Sequence, residues 1–113
     1  MNIQIFGIKK CFDTKKAERY FKERGIKYQF IDMKEKGMSR GEFSSVKQAI
    51  GSVDDLLNEN CKDKELMTLL NYLSDDDKEK KILDNPQVIR TPVVRNGSKA
   101  TIGYCPDIWK SWE

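Results

Sequence analysis

The 113-residue chain contains no histidine. Without imidazole there is no Ser-His or Cys-His catalytic pair, and a metal site that depends on histidine ligands is excluded. Cysteine is sparse: Cys11, Cys61 and Cys105 are an odd number at wide spacings. Such spacing fits neither a disulfide framework nor a Cys-x-x-Cys metal knuckle. We therefore expect reduced thiols and no metal.

Long hydrophobic runs are also absent. No apolar stretch approaches the roughly 20 residues that a membrane-spanning helix requires, and the first residues contain no signal-peptide hydrophobic region. The length is the usual one for a single domain. The sequence therefore predicts one domain over residues 1–113, located in the cytoplasm and without a membrane partner.

Charge is unevenly distributed along the chain. Residues 1–50 contain 12 Lys and Arg against 6 Asp and Glu, whereas residues 51–113 contain 9 against 12. The basic half is either a solvated surface or a field that attracts an anion or an anionic tripeptide towards Cys11. The net charge of +3 is modest and no aromatic residues alternate with a basic stripe, so direct nucleic-acid binding is not expected.

The first third of the chain predicts a strand, a helix and a second strand. Residues 2–6 alternate between apolar and polar side chains and end at Gly7. Residues 13–24 have helical periodicity, and Gly25 stands where a C-terminal cap belongs. Residues 28–32 predict a second strand, parallel to the first one.

Helices and a hairpin account for the remainder. Ser39 and Glu42 form a capping-box pair, and residues 54–84 predict two or three short helices. A hairpin with the turn Asn96-Gly97 follows. Pro106 then occupies the first turn of a closing helix. In this helix we expect three side chains to face inward, those of Ile108, Trp109 and Trp112.

Cys11 lies where the first loop meets the first helix. The first amides of a helix have no intrahelical partner, so they and the positive end of the helix dipole stabilise a thiolate there. Thr14 can donate a hydroxyl hydrogen bond to the sulfur. Nearby positive charge comes from Lys9, Lys10, Lys15 and Lys16. We expect these groups to lower the pKa of Cys11 below that of a free cysteine; the alternative is an inert loop cysteine.

The residues after Cys11 argue against two known types of cysteine site. A protein-phosphatase loop has an arginine six residues after its cysteine, where this chain has Ala17, and a dithiol switch needs a second cysteine where Thr14 stands. A disulfide of Cys11 must therefore use an external thiol or another cysteine of the chain. Cys61, beside Lys62 in a predicted loop, is a possible resolving thiol, whereas Cys105 is interpreted as structural.

Thr91-Pro92 stands directly before the third predicted strand. This position resembles the place where thioredoxin-like folds put a cis proline beside the reactive cysteine, which leaves the preceding backbone free to pair with a peptide or glutathione. The alternative is an ordinary proline at the first residue of a strand.

Several segments, in order along nearly the whole chain, carry a family resemblance. They are residues 11–17 (Cys-Phe-Asp-Thr-Lys-Lys-Ala), 25–26, 38–40, 55–58 and 85–94 (Asn-Pro-Gln-Val-Ile-Arg-Thr-Pro-Val-Val). In these segments the chain resembles the arsenate reductase (ArsC) family, which also includes the Spx-type regulators. The resemblance implies a thioredoxin-like α/β fold: a mixed four-stranded sheet flanked by helices, with a helical insertion at about residues 39–84.

The resemblance also implies a function. Cys11 matches the family's catalytic cysteine, which attacks arsenate and is then resolved by glutathione and glutaredoxin. We therefore expect a glutathione- or glutaredoxin-linked thiol oxidoreductase with no bound cofactor, acting on a small oxyanion or a disulfide. Cys11 and Thr14 are the predicted catalytic residues. The predicted residues for binding the anion or the thiol partner are Lys9, Lys10, Lys15, Arg90, Thr91 and Pro92.

The family's three oxyanion-binding arginines are not matched. Asn60, Thr91 and a position near Ile102 stand in their places, and Arg90 is one residue from the expected site. Because each charge-assisted contact to an oxyanion contributes roughly 1.5–3 kcal/mol, efficient arsenate reduction is not expected. The alternative is a non-catalytic, Spx-like regulator or adaptor that binds RNA polymerase, although Thr14 interrupts the Cys-x-x-Cys switch of that group.

Overall fold

A computed structural model describes all residues from 1 to 113. Four strands form one sheet: β1 (Ile3–Gly7), β2 (Tyr28–Asp32), β3 (Val93–Asn96) and β4 (Lys99–Ile102). Their spatial order is β2-β1-β3-β4, with β1 and β2 parallel and the other neighbours antiparallel. A βαβ unit followed by a ββα unit is the thioredoxin-like arrangement that the sequence predicts.

Five α-helices flank the sheet: α1 (Phe12–Glu23), α2 (Arg40–Ile50), α3 (Lys64–Leu70), α4 (Asp75–Asp84) and α5 (Pro106–Lys110). Short 3₁₀ turns occupy Asp54–Leu56 and Pro86–Val88. The predicted insertion of helices between the second and third strands is confirmed, and the 3₁₀ turn at residues 86–88 extends it. None of these helices combines the length and the apolar character needed to cross a membrane.

The predicted caps form as expected. The Ser39 hydroxyl accepts from the Glu42 amide at 3.1 Å, and the Glu42 carboxylate accepts from the Ser39 amide at 2.9 Å, which is a complete capping box. After α1 the chain turns at Gly25, whose φ of 68° is in the left-handed region, and the Ile26 amide donates to the Phe21 carbonyl at 2.9 Å.

The two faces of the sheet pack against different helices. Ile3, Ile5 and Val94 face α1 and α5, where Phe21 and Trp109 complete a buried cluster. Neighbouring residues along the strands point the other way because side chains alternate across a sheet. Phe6 and Val93 therefore belong to the larger cluster under α2, α3 and α4.

Two details at the C-terminal end differ from the sequence prediction. Asn96 pairs with Lys99, so the hairpin turn consists of Gly97 and Ser98, one residue later than expected. In α5, Trp109 is fully buried, but Ile108 is 49% exposed, and its predicted inward orientation is wrong. The physical reason is helical periodicity: Trp109 and Trp112 share a face at a spacing of three, whereas Ile108 lies about 100° away.

Strand register brings distant segments to one edge of the sheet. Phe6 near the end of β1 pairs with Val93 at the start of β3, and Val93 pairs with Ile102 at the end of β4. The segments that continue from these positions therefore meet at the same edge. They contain Cys11, Thr91-Pro92 and Cys105.

Candidate active site

Cys11 is the residue at the N-cap of α1, and its side chain is half-buried. Its amide donates to the Ile8 carbonyl at 2.9 Å, which closes the turn after β1, and its carbonyl accepts from the Lys15 amide at 3.1 Å. The backbone on both sides of the sulfur is thus held by hydrogen bonds. The neutral thiol makes no capping hydrogen bond of its own to the helix.

Thr14 lies beneath the sulfur and is fully buried. The Thr14 hydroxyl accepts from the Ile8 amide at 3.4 Å, which leaves its own proton free to point at Cys11. Gly7 makes this placement possible, because a Cβ atom there would lie 2.5 Å from Thr14 Cγ2 and 2.8 Å from its hydroxyl oxygen. The glycine at the end of β1 therefore determines where the threonine can sit.

The pKa of Cys11 is lowered from its ordinary value of 9.0. Partial burial is the largest single influence and raises the pKa, but hydrogen bonding from the Thr14 and Thr91 hydroxyls and from the amides of Thr14 and Asp13 outweighs it. These two amides belong to the second and third helical residues, which is where an N-cap acceptor finds its donors. The amide of Phe12, the first helical residue, is not among them.

Thr91 contacts the sulfur from the segment that precedes β3. The Thr91–Pro92 peptide bond is cis. The neutral Cys11 thiol donates to the Thr91 carbonyl across 3.7 Å, a long contact that exists only while the sulfur is protonated. The Pro92 carbonyl accepts from the Gly103 amide at 2.8 Å, which fastens this segment to the end of β4.

The lysines lie around the site without contacting the sulfur. Lys9 and Lys10 are exposed in the turn before Cys11. Lys15 is also exposed and lies 5.8 Å above the ring of Phe12, which is itself 79% exposed beside the cysteine. The strongest influences that lower the pKa of Cys11 are hydrogen-bond donors, not ammonium groups.

Arg90 lies before β3 and not within a strand. Its amide donates to the Leu56 carbonyl at 2.8 Å, and Leu57 and Ile89 form an antiparallel bridge. The exposed Arg90 side chain lies against the Gly103 backbone, since a Cβ at Gly103 would be 3.1 Å from its guanidinium. Arg90 therefore shares the sheet edge with Cys11, next to the loop that contains Asn60.

The other two cysteines occupy different positions. Cys61 is only 6% exposed and belongs to the cluster under α2, α3 and α4, across the sheet from α1. It would have to leave the core to resolve a Cys11 disulfide. Cys105 is half-buried, precedes α5 at the same sheet edge as Cys11, and donates to the Ile102 carbonyl at 3.3 Å.

Sequence reasoning missed two contributors to the site. Gly7 was assigned only as the end of a strand, although a glycine at a strand end can also indicate close packing. The Thr91 hydroxyl was not assigned as a donor, because only the backbone of Thr91 was expected to act. Neither role has a local sequence signal, since both depend on which side chain approaches from elsewhere in the fold.

Comparison with known proteins places the chain in a family. Residues 6–112 match the family model described as the ArsC family. A search of curated proteins found no match. An arsenate reductase from Vibrio cholerae has a similar structure, with a TM-score of 0.81 and 26% identity over 98% of this chain and 97% of that one.

Two further solved structures agree in fold. A protein from Staphylococcus aureus COL, solved by NMR, has a TM-score of 0.79 and 26% identity over 96% of both chains. An ArsC family related protein from Bacteroides fragilis has a TM-score of 0.81 at 18% identity, over 100% of this chain and 98% of that one. The family match spans almost the whole sequence and the likeness in structure is equally complete, so this chain belongs to the ArsC family.

Proposed function

We propose that this protein is a thiol oxidoreductase in which Cys11 is the nucleophile and a glutathione- or glutaredoxin-type thiol is the co-substrate. The observation that carries the proposal is the set of donors around Cys11. Two hydroxyls and two helix amides lower the pKa of a half-exposed thiol, and the thiolate is the reactive form of cysteine.

Thiol–disulfide exchange follows from this arrangement. The Cys11 thiolate attacks one sulfur of a disulfide, a new S–S bond forms as the substrate S–S bond breaks, and the departing thiolate takes a proton from water. A second thiol then attacks the mixed disulfide and releases Cys11 as a thiolate again. In the mixed disulfide the Cys11 sulfur carries no proton, so the Thr91 carbonyl, which accepts from the neutral thiol, is free to accept from the docked partner.

The surroundings of the sulfur suit a thiol partner. The Thr91 backbone and Pro92 form the edge on which the cysteine of a peptide would dock. Lys9 and Lys10 are exposed guides for an anionic partner. Phe12, exposed beside Cys11 with Lys15 above its ring, offers contact area to a protein-sized thiol such as a glutaredoxin.

Arsenate is a poor candidate substrate for this chain. Asn60 stands where the family has one of its oxyanion-binding arginines. It lines a cavity together with Asp54, Asp55 and Glu59. Carboxylates repel an oxyanion, and a neutral amide replaces the charge-assisted contact. A disulfide, which needs no arginine cage, fits the site better.

A second candidate is a non-catalytic, Spx-like adaptor that binds RNA polymerase. The observation in its favour is an exposed apolar surface away from Cys11, where Leu69 (41% exposed) and Tyr72 (83% exposed) line one shallow groove. Exposed hydrophobic groups are typical of protein-binding surfaces. We rank this candidate second because the donors around Cys11 lower its pKa, which thiol chemistry requires and an adaptor does not.

Exposure to oxidised glutathione followed by mass spectrometry tests the proposal. We expect one glutathione adduct, on Cys11, that is lost in Cys11→Ser and retained in Cys105→Ser, which is the matched control with a half-buried thiol at the same edge. Alkylation of Cys11 below pH 8 should also be faster than that of free cysteine. A Cys11 that reacts no faster than free cysteine, or an adduct found mainly on another cysteine, would contradict the proposal and favour the adaptor.

A further inference from the structure

A cavity of about 400 Å³ opens beside Arg90, next to the edge of the sheet that contains Cys11. The residues around it that matter here are Asp54, Asp55, Asn58, Glu59, Asn60 and Arg90. Two pieces of chain form it. The Asn58 amide donates to the Val88 carbonyl at 2.7 Å, and the Arg90 amide donates to the Leu56 carbonyl at 2.8 Å. The loop that follows Leu57 is thereby fixed beside Arg90.

The charges of this cavity are of both signs and mostly unpaired. The Arg90 guanidinium forms no salt bridge and no side-chain hydrogen bond, whereas Asp54 is paired with Lys78 at 2.9 Å. Asp55 and Glu59 form no salt bridge, and Lys64 reaches only the backbone carbonyl of Glu59, at 3.4 Å. One free guanidinium therefore faces the same space as two free carboxylates.

This mixture selects among ligand charges. An oxyanion would meet the carboxylates of Asp55 and Glu59, and a simple cation would meet Arg90. A group that carries a carboxylate and an ammonium together satisfies both sides, because Arg90 can bind the carboxylate and the acidic side chains can bind the ammonium. The free α-amino-acid group is the common biological group with this pattern, and the side chains of Asn58 and Asn60 can hydrogen-bond either half.

The side chain of Arg90 lies close to the segment that contacts Cys11. Its guanidinium is 3.1 Å from the Cβ position of Gly103, and the Gly103 amide donates to the Pro92 carbonyl at 2.8 Å. In the same segment the Thr91 carbonyl is 3.7 Å from the Cys11 sulfur. A thiol peptide whose cysteine docks on Thr91 can therefore place a neighbouring residue beside Arg90.

We propose that this cavity binds the α-amino-acid end of a low-molecular-weight thiol, as in the γ-glutamyl residue of glutathione, while its cysteine faces Cys11. This inference rests on the proposed function, which supplies the thiol co-substrate, and it adds the residues that select that thiol. Arg90 binds the α-carboxylate, and Asp55 with Glu59 binds the α-ammonium. Lys9 and Lys10 then guide an anionic thiol towards Cys11, and the charges of the cavity select among such thiols.

Binding of S-methylglutathione, which cannot form a disulfide, tests the cavity separately from the chemistry. Titration calorimetry or NMR would compare the unmodified protein with Arg90→Gln and Asp55→Asn. The matched controls are Arg40→Gln and Asp76→Asn, because both residues are exposed on helices and neither lines the cavity. We expect each cavity variant to weaken binding about threefold to tenfold and the controls to bind as the unmodified protein does.

Two analogues make the test specific for charge. One replaces the γ-glutamyl residue by glutaryl and lacks the ammonium, and the other replaces it by 4-aminobutyryl and lacks the α-carboxylate. Arg90→Gln should weaken binding of the glutaryl analogue, which keeps the carboxylate of the γ-glutamyl residue, but leave binding of the 4-aminobutyryl analogue unchanged. Asp55→Asn should leave the glutaryl analogue unchanged or improve its binding.

Failure of the inference and failure of the proposed function give different results. If S-methylglutathione does not bind at millimolar concentration, or binds equally to all variants and analogues, the inference is overturned; reaction of Cys11 with oxidised glutathione would still support the oxidoreductase. If Cys11 is unreactive while binding follows the charges of the cavity, the oxidoreductase is overturned and the cavity stands as an amino-acid site.

Discussion

Cys11 and Cys105 share most features that are used to recognise a reactive thiol. Both are half-buried, both directly precede a helix, and both lie at the same edge of the sheet. Their pKa values nevertheless move in opposite directions, down for Cys11 and up for Cys105. The difference shows that a place before a helix is not sufficient to ionise a thiol.

Hydrogen-bond donors explain the contrast. Around Cys11, two hydroxyls and two amides outweigh the effect of burial. Burial also raises the pKa of Cys105, but there only the Arg90 charge and the Thr101 hydroxyl oppose it, and Asp13 adds to it. No amide of α5 acts on the Cys105 sulfur, and the Cys105 thiol donates to the Ile102 carbonyl instead.

Gly7→Ala should have the largest effect on the difference between Cys11 and Cys105. The added Cβ would lie 2.5 Å from the fully buried Thr14, which must move, and overpacking of this kind destabilises a protein by about 1–3 kcal/mol. Urea unfolding would measure the loss, and alkylation at neutral pH should slow at Cys11 alone. Gly41→Ala is the control, because no heavy atom lies within 4 Å of its Cβ position. An equal loss in both variants would contradict the packing argument.

Thr14→Val should have the next largest effect. It keeps the shape of the side chain but removes the acceptor of the Ile8 amide and a donor to Cys11, so we expect about 1 kcal/mol of destabilisation and a higher Cys11 pKa. Thr101→Val is the paired variant: it removes the acceptor of Trp109 Nε1 and should raise the pKa of Cys105 only. Alkylation of each thiol against pH, followed by mass spectrometry, separates the two. A Cys11 profile unchanged in Thr14→Val would refute the assigned role.

The pH dependence of stability should distinguish the same two thiols in the unmodified protein. The Cys11 pKa is below 9.0 when folded, so between the folded pKa and 9.0 the native state holds fewer protons and its free energy of unfolding rises with pH. The Cys105 pKa is above 9.0, so its contribution falls as pH rises from 9.0. In Cys11→Ser the rise of the unfolding free energy below pH 9.0 should be lost. In Cys105→Ser the fall above pH 9.0 should be lost. Two identical profiles would contradict the opposite shifts.

Pro106→Ala should produce the smallest change. It restores an amide at the first helical residue after Cys105. Because an N-cap acceptor takes its donors from the second and third helical residues, we expect an unchanged Cys105 pKa and a change in stability within about 0.5 kcal/mol. Alkylation of Cys105 at fixed pH measures the effect, and Cys11 in the same sample serves as the internal reference. A Cys105 rate that increases would mean that the missing first amide contributes to the difference between the two thiols.

Local patterns were sufficient for most of the fold. The capping pair Ser39 and Glu42, the glycines after α1 and α2, and the alternation in β1 and β2 each act over a few residues, so their outcome is readable in the chain. The predictions for Ile108 and for the hairpin turn were wrong because each depends on a shift of a single residue. The burial of Trp109 determines which face of α5 points inward, and the pairing of Asn96 with Lys99 determines the turn.

The sequence by itself determined the elements, the position of Cys11 at a helix start, and Thr14 as its neighbour three residues on, because contacts within one helical turn are set by spacing. Only the tertiary structure decided that Gly7 makes room for Thr14, that Thr91 approaches the sulfur from a segment 80 residues away, and that Cys61 is enclosed in the core. These outcomes depend on strand order and register, which join segments that carry no signal of each other in the chain.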